Sequence, residues 1–488
     1  MYTKLPLISI ISLILLNLAA PANSEPYNFI PEYIGYANEH KNLSWWTNCH
    51  HINTLSVRKV EDEKNQVLEI LLEKDSQSHP LCSDVYTYGT ISKLQFFDTL
   101  GPNLAKLEIE YPYDYEKYGI RIFRFQDGII KSMADIYETF ELFIQALTGN
   151  SSVDEKTAEL NIEFLRTYMN YPVESKQKFI QNKTIDTTDL HPGDFLGILR
   201  LDGLDPLVCW GTGSIFGHTA TIMKINNQKY VVESQNKSNY WPNNNIQKTP
   251  IDTWLDMARS ADYHVVHLPL SRTNQDKIKQ REQELKKWFS SVEGNPYGIN
   301  NFIFGWLDTP QQNFPHPLSS EFLTIAMSLI DPLLQDRGIP SLWNQGIKHR
   351  LNIDDKTEFS TRDLLEESLS KGIDYQTLLA IPEDDKWLYN NAGQITTSMV
   401  CNVFVCNIYR EAGILNTNFN CTETTPFDVT EFNIYNGTYT QLMGTYQIEM
   451  EKWGRWNRAK IFENMRQNCP SQAPNYTLRN EQHVIQTC

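Results

Sequence analysis

An apolar helix with a cysteine in its first turn is the feature that most restricts how this chain can fold. Residues 398–413 form a hydrophobic segment of helical period, with Ser398 as candidate N-cap, Cys401 near the start and Gly413 just past the end. The partial positive charge at a helix N-terminus favours thiolate over thiol, and thiolate is the nucleophile. A buried structural cysteine is the competing interpretation until a base is found elsewhere in the chain.

Residues 1–24 have the pattern of a secretory signal peptide. Lys4 precedes an apolar run over residues 5–20, and Ala22 and Ser24 are small residues before a cleavage point. No later segment contains about 18 uncharged apolar residues, so we expect no transmembrane segment in the mature protein. Seven Asn-x-Ser/Thr motifs then predict a glycoprotein of the secretory route, secreted or lysosomal. They begin at Asn42, Asn150, Asn182, Asn236, Asn420, Asn436 and Asn475.

An oxidising compartment should pair some of the cysteines. The chain has eight, at positions 49, 82, 209, 401, 406, 421, 469 and 488. We expect Cys49 to pair with Cys82, and Cys421 to pair with Cys469 or Cys488. Cys406 is expected to be a buried thiol in the helix core. The formal net charge of −16 disfavours nucleic acid and anionic membrane surfaces as partners.

A chain of 488 residues is too long for one compact core. Residues 25–175 are predicted to form a β-rich accessory domain with helices, and 416–488 a cysteine-containing C-terminal extension. The main domain is predicted at 188–415, with an insertion at 310–395. Alternating patterns predict strands at 55–60, 66–72, 85–94, 105–110, 120–125, 194–201, 218–225, 230–233 and 263–268. Helical patterns predict helices at 129–147, 153–168 and 274–290.

His218 is the candidate base for Cys401. It opens a predicted strand after the turn-rich residues 211–217, which would leave its ring at the rim of a cleft. A hairpin turning at 226–229 would put Ile222 opposite Glu233, so His218 and Glu233 share a sheet face but lie apart along it. Gln235 would be closer in that register, and it is the alternative residue for orienting the imidazole.

The other thiol and imidazole groups fit structural roles better. Cys49 stands beside His50 and His51, but a disulfide explains that cysteine better, and Cys209 is also expected to be structural. His264 and His267 lie three apart on a predicted strand and would face opposite sides, which disfavours a metal pair. No Cys-x-x-Cys, His-Glu-x-x-His or Walker-type glycine loop occurs. We therefore expect neither a metal nor an organic cofactor.

Five short segments follow one another in a fixed order: Gly193-Asp194-Phe195, Gly217-His218-Thr219-Ala220, Val232-Glu233-Ser234, Gly294-Asn295-Pro296-Tyr297-Gly298 and Met399-Val400-Cys401. In this order they resemble the permuted papain-like branch of the NlpC superfamily, the YiiX-like cysteine hydrolases. The resemblance covers roughly residues 190–306 and 396–415, and Ala412-Gly413 also matches the helix end of that pattern. It implies an α+β, circularly permuted papain-like domain in which His218 precedes the nucleophile Cys401. Glu233 would orient His218.

The resemblance and the secretory signals together predict a secreted or lysosomal cysteine hydrolase. Its substrate would be a small peptide or amide, bacterial cell-wall peptides included, cleaved through an acyl-enzyme. The backbone N–H of Cys401, with a donor near residues 210–214, would hold the oxyanion. Two alternatives stay open: a non-catalytic secreted glycoprotein that acts as a binding module, and a lipid acyltransferase or thioesterase.

Overall fold

The computed structural model describes about two thirds of the chain. The predicted signal peptide, the predicted helix at 129–147, and Cys49, Cys82, Cys469 and Cys488 lie outside the described residues. The described residues are 32–46, 52–61, 66–74, 85–96, 104–108, 110–125, 152–169, 171–173, 185–212, 214–238, 240–241, 243, 245–306, 313–314, 320–334, 339–354, 358–379, 381–391, 393–450 and 475–476.

Strands and helices both contribute heavily, so the fold is mixed α/β with several sheets. The strands are β1 Glu32–Ala37, β2 Leu43–Trp45, β3 Asn53–Glu61, β4 Gln66–Lys74, β5 Val85–Gly89, β6 Leu94–Phe96, β7 Leu104–Glu108, β8 Ile120–Phe125, β9 Phe195–Leu199, β10 His218–Ile225, β11 Gln228–Gln235, β12 Asn245–Pro250, β13 His264–Leu268, β14 Asn313–Phe314, β15 Leu388–Asn391, β16 Gln394–Thr397, β17 Thr440–Met443 and β18 Asn475–Tyr476.

The α-helices are numbered over the described residues in the same way. They are α1 Pro112–Tyr118, α2 Glu155–Met169, α3 Leu204–Thr212, α4 Ile251–Ser260, α5 Arg272–Gln280, α6 Glu282–Val292, α7 Ile299–Trp306, α8 Ser320–Leu334, α9 Ile339–Leu351, α10 Thr361–Ser370, α11 Tyr375–Leu379, α12 Cys401–Glu411 and α13 Pro426–Glu431. None of these helices is long and apolar enough to span a bilayer.

The chain divides into two compact units. The first contains residues 1–141, 318–335 and 359–375, so α8 and α10 from the expected insertion belong to it. Its strands form two four-stranded sheets, ordered β1-β8-β5-β6 and β2-β3-β4-β7, around one hydrophobic cluster. Asp114 accepts hydrogen bonds from Arg121 Nη2 at 2.7 Å and from the Tyr375 hydroxyl at 2.7 Å inside this unit.

The second unit contains residues 142–317, 336–358 and 376–488. Its main sheet has six strands in the order β12-β11-β10-β9-β13-β17, and every neighbouring pair is antiparallel. Apolar residues of β9, β10, β11 and β13 pack with Trp241 and with Trp254 of α4 in one buried cluster. The sheet therefore carries a helix-covered core on the face that Trp254 contacts.

The turn between β10 and β11 sets the register of the central hairpin. Asn226 and Asn227 have φ of 50° and 65°, and Ile225 pairs with Gln228. Two consecutive left-handed residues make a two-residue turn, whereas the sequence led us to expect a four-residue one. Ile222 therefore pairs with Val231 rather than with residue 233. A shift of two residues leaves every side chain on its expected face.

Most predicted strands of the three main sheets are confirmed by observed strands, including β10 over its full length at 218–225. The predicted strand at 85–94 is instead divided into β5 and β6. The predicted single helix at 274–290 is wrong, because α5 and α6 are separate. The break falls at Arg281, where φ is −105° and ψ is 21°. The charged, amphipathic pattern continues through this residue, so periodicity alone did not reveal the break.

Candidate active site

The main sheet of the second unit brings Cys401, His218 and Glu233 together. Cys401 is the first residue of α12, and His218 is the first residue of β10. Glu233 lies near the end of β11, the strand that pairs with β10. All three are buried, with exposed fractions of 3%, 8% and 0%. The start of β10, the end of β11 and the start of α12 thus meet at one end of the main sheet.

Consecutive residues of β11 face opposite sides of the sheet and bond to different helical segments. The Glu233 carboxylate accepts a hydrogen bond from Trp254 Nε1 of α4 at 2.9 Å. The Ser234 hydroxyl donates to the Met399 carbonyl oxygen, just before α12, at 2.7 Å. The sheet therefore lies between α4 and the segment that carries Cys401.

Glu233, rather than Gln235, contacts the imidazole. His218 Nε2 lies 2.9 Å from Glu233 Oε2, and a carboxylate can only accept, so Nε2–H donates. The observed register places Glu233 two residues closer to His218 along the sheet than the sequence led us to expect. Gln235 instead donates from Nε2 to the Tyr263 hydroxyl at 3.3 Å.

Cys401 and His218 act on each other electrostatically. Burial works against the charged form of both groups. The charge of His218 and its hydrogen bond to the sulfur nevertheless lower the pKa of Cys401, with further hydrogen bonds from Thr219. Burial likewise opposes a charged His218, but the Cys401 thiolate, followed by Glu233, raises the pKa of His218 to about 10. Each of the two groups therefore favours the charged form of the other.

The position of Cys401 at the helix start would not be enough by itself to lower the pKa of its thiol. A helix N-terminus contributes about 0.3–1 kcal/mol toward an adjacent negative charge. One pKa unit corresponds to about 1.36 kcal/mol, and burial of the thiol has to be overcome as well. His218 is therefore the principal cause of the lowered pKa of Cys401.

Tyr297 is a member of the site that the sequence did not identify individually. Its hydroxyl contacts the Cys401 sulfur and the Cys401 backbone N–H. Burial, and then the charge of Cys401, raise the pKa of Tyr297 well above its usual value, so the phenol keeps its proton. A neutral hydroxyl beside the backbone N–H of the cysteine is a second hydrogen-bond donor at that position.

The residues before Cys401 are held from several sides. The Met399 carbonyl oxygen also accepts from the Gly298 N–H at 3.2 Å, and the Ser398 hydroxyl donates to Asn300 Oδ1 at 2.5 Å. A Cβ atom on Gly298 would lie 2.3 Å from Met399 N, so only glycine fits here. The contact ties the Tyr297 segment to the start of α12.

A buried carboxylate from the expected insertion supports the same segment. Glu383 is 2% exposed and accepts hydrogen bonds from Asn301 Nδ2 at 2.9 Å and from the Tyr389 hydroxyl at 2.5 Å. Asn300 Nδ2 donates to it at 3.3 Å. Asn391 Nδ2 donates to the Tyr297 carbonyl oxygen at 2.9 Å. Residues 383–391 therefore hold the segment that carries Tyr297. Periodicity in the sequence did not indicate this role.

Asp205 of α3 is another carboxylate beside the site. Its Oδ2 accepts from the Arg200 N–H at 2.6 Å, and its Cγ would lie 2.4 Å from a Cβ atom on Gly217, next to His218. Burial, and then the charge of Asp202, raise the pKa of Asp205 to about 7. The positive charge of His218 acts in the opposite direction.

The cysteines and the remaining histidines differ partly from expectation. Cys406 is not a free thiol: it forms a disulfide with Cys421, so the expected pairing of Cys421 with Cys469 or Cys488 is wrong in this structure. Cys209 and Cys401 are the free cysteines among the described residues, and both are buried. Burial and then the charge of Asp205 raise the pKa of Cys209 well above its usual value.

His264 and His267 bond to different groups, as their positions on opposite sheet faces predict. His267 Nε2 lies 2.8 Å from Asp194 Oδ2, whereas His264 Nε2 accepts the N–H groups of Thr445 and Tyr446 at 3.1 Å each. Within the part of the chain that the structure describes, no group of three or more His, Cys, Asp or Glu residues is placed to hold a metal ion.

Comparisons with known proteins add one partial similarity. No protein-family model matches the chain, and no curated protein matches it. A solved structure, that of the metalloprotein YiiX from Escherichia coli O157:H7, is similar at 20% sequence identity and a TM-score of 0.17. The match covers 23% of this chain and 54% of that one, so it spans about half the length of YiiX.

Proposed function

We propose that this protein is a cysteine hydrolase that cleaves amide bonds through an acyl-enzyme on Cys401. The observation that carries the proposal is the buried array of Cys401, His218 and Glu233, in which the thiol has a lowered pKa and the imidazole is bonded to a carboxylate. Nucleophile, base and orienting group are the three parts that thiol catalysis requires.

In the proposed acylation step, the Cys401 thiolate attacks the carbonyl carbon of the amide. A carbon–sulfur bond forms and the carbonyl π electrons move to oxygen. The imidazolium of His218 then gives its proton to the amide nitrogen, the oxyanion re-forms the carbonyl as the carbon–nitrogen bond breaks, and the amine leaves the thioester behind. Glu233 holds Nε2 throughout, which leaves Nδ1 for the proton transfer on the sulfur side.

Deacylation reverses these roles with water in place of the amine. Neutral His218 takes a proton from water, the hydroxide oxygen attacks the thioester carbon, and the carbon–sulfur bond breaks to release the acid and restore the thiolate. The Cys401 N–H and the Tyr297 hydroxyl would stabilise the oxyanion in both steps. Tyr297 replaces the donor that the sequence led us to expect near residues 210–214.

We also propose that the second unit is a permuted papain-like domain. The nucleophile heads a helix packed against an antiparallel sheet whose strand carries the base, and the base precedes the nucleophile in the chain. The Cys406–Cys421 disulfide supports a location in the secretory route, because disulfides persist in oxidising compartments. Small peptides with an exposed amide bond are the proposed substrate class.

Turnover of a panel of small peptide amides, with release of a primary amine as the readout, tests the proposal. We expect Cys401→Ala and His218→Ala each to abolish turnover, because nucleophile and base act as a unit. Cys209→Ala is the matched control, since it removes the other buried free thiol, and it should retain wild-type turnover.

Full activity in Cys401→Ala would refute the hydrolase proposal. If the wild type instead transfers acyl groups from lipids or cleaves thioesters, and leaves every amide intact, the acyltransferase or thioesterase alternative is correct. If the wild type binds peptides without turnover, and Cys401→Ala binds them equally well, the binding-module alternative is correct.

A further inference from the structure

The strands that carry His218 and Glu233 separate at the candidate site. β10 and β11 pair from Ile225 and Gln228 at the turn as far as Thr221 and Val232. Both strands continue beyond that point, to His218 and Gln235. The first three residues of β10, His218 to Ala220, therefore lie outside the β10–β11 ladder.

Separation of the strands leaves one backbone donor directed away from β9. In an antiparallel strand, the N–H groups of alternate residues point to opposite neighbours. The Ile222 N–H bonds to the Asp194 oxygen on the β9 side, so the Thr219 N–H points toward the β11 side. The sulfur of Cys401 takes the place of a strand partner there and accepts this N–H.

The side chain of Thr219 points at the same atom. Thr219 is fully buried, and its hydroxyl has no hydrogen-bond partner at ordinary distances in the described part of the chain. Burying a hydroxyl without a partner is costly, so a buried one normally has an acceptor. The Cys401 sulfur is the group that this hydroxyl meets. Ser234, on the face shared by Thr219, bonds to the segment just before Cys401, which puts the sulfur on this face.

We propose that Thr219 stabilises the Cys401 thiolate directly, through hydrogen bonds from its backbone N–H and its hydroxyl. This inference rests on the proposed function, because it assigns Thr219 to the nucleophile of that reaction. His218 from β10 and Tyr297 from the segment before α7 also face the sulfur, and Glu233 and Asp205 act on it through these two groups. Thr219 differs from them because it is uncharged and does not titrate.

The test is the rate of iodoacetamide alkylation of Cys401 as a function of pH, measured by peptide mass spectrometry on the full chain. Thr219→Val removes the hydroxyl and preserves the side-chain shape. We expect the midpoint of the profile to rise by about one pH unit. We also expect the high-pH plateau rate to rise about threefold, because a more basic thiolate is more nucleophilic.

Two further variants make the result specific. Thr219→Ser keeps the hydroxyl and should retain the wild-type profile. Thr221→Val is the matched control, because Thr221 is equally buried on the same strand and face but donates to the Asp194 oxygen at 2.9 Å. It should leave the midpoint unchanged. If Thr219→Val does not fold, Thr219→Ala, which also lacks the hydroxyl, should give the same midpoint shift.

An unchanged midpoint in the variants without a hydroxyl, or the same shift in Thr221→Val, would overturn this inference and leave the hydrolase proposal intact. A wild-type Cys401 that titrates like an ordinary thiol would instead contradict the hydrolase proposal itself. The two failures are therefore distinguishable in one experiment.

Discussion

Glu233 and Ser234 are consecutive residues of β11, yet they hold the two halves of the candidate site from opposite faces of the sheet. Glu233 binds His218 Nε2 at 2.9 Å, and Ser234 binds the Met399 carbonyl oxygen at 2.7 Å. One short strand segment thus positions the base directly and the nucleophile through the backbone before α12. The distance between imidazole and sulfur depends on both bonds.

The carboxylate of Glu233 cannot be replaced by an amide without loss. It accepts two donors, His218 Nε2–H and Trp254 Nε1–H, whereas the side chain of glutamine has only one oxygen and presents an NH₂ group to one of them. We expect Glu233→Gln to lower kcat by about 10- to 100-fold. The pKa of His218 should fall, so the alkaline limb of the pH–rate profile should move to lower pH. An unchanged limb would show that Glu233 does not act on His218.

Gly298 should be intolerant of any side chain. A Cβ atom there would lie 2.3 Å from Met399 N and would push the segment that leads into Cys401. We expect Gly298→Ala to lower kcat about 100-fold, because small misplacements of a nucleophile are costly. Ser398→Ala is the control: it removes one hydrogen bond of the same segment without adding volume, and its effect should be smaller. Equal kcat in Gly298→Ala and the wild type would contradict the contact.

The Cys406–Cys421 disulfide should stabilise the second unit. The bonded cysteines are 15 residues apart, and a loop of that length is worth about 3 kcal/mol. The double variant Cys406→Ala, Cys421→Ala should lose about that amount of unfolding free energy in urea titrations, without creating a new free thiol. Peptide mapping that links Cys421 to Cys469 or Cys488 would contradict this pairing.

Two sequons should differ in occupancy if the chain follows the secretory route. Asn436 is exposed and its Oδ1 accepts the N–H of Thr438 at 2.8 Å, while its Nδ2 bonds to none of the described residues and can accept a glycan. The Nδ2 of Asn420 instead donates to the Glu383 carbonyl oxygen at 2.5 Å, and Thr422 of the same sequon is 5% exposed. Glycopeptide mass spectrometry should therefore find a glycan at Asn436 and none at Asn420; the opposite pattern would refute this interpretation.

Local sequence patterns were sufficient to predict where the elements that carry the site begin. The turn-rich segment before His218 and the apolar stripe after Cys401 predict a strand start and a helix start, and both are observed. The helix is capped at Val400, however, and not at the candidate Ser398. Alternation predicted that Glu233 shares a face with His218. It did not predict how close they lie, because that depends on Asn226 and Asn227 both adopting positive φ.

The contacts between segments that lie far apart in the chain could not be predicted from local sequence patterns. Cys406 pairs with Cys421 because the segment after α12 folds back onto that helix, a packing event that no periodicity records. Tyr297 and Thr219 contact Cys401 from separate elements, and Glu383 bonds to Asn301 in the segment after Tyr297. Their roles became visible only with the tertiary structure.

The most direct test of the account is the rate at which Cys401 reacts with iodoacetamide across the pH range, in the wild type and in His218→Ala. Cys209 serves as the internal reference, because burial raises the pKa of that thiol and should keep it slow. In the wild type, His218 lowers the pKa of Cys401, so the thiolate should form below the ordinary thiol range. Turnover should then persist until His218 loses its proton near pH 10. In His218→Ala, burial is unopposed by that charge, so the alkylation midpoint should move to higher pH. A Cys401 that reacts as slowly as Cys209, or that has the same midpoint in both proteins, would contradict the assignment of Cys401 and His218 as nucleophile and base.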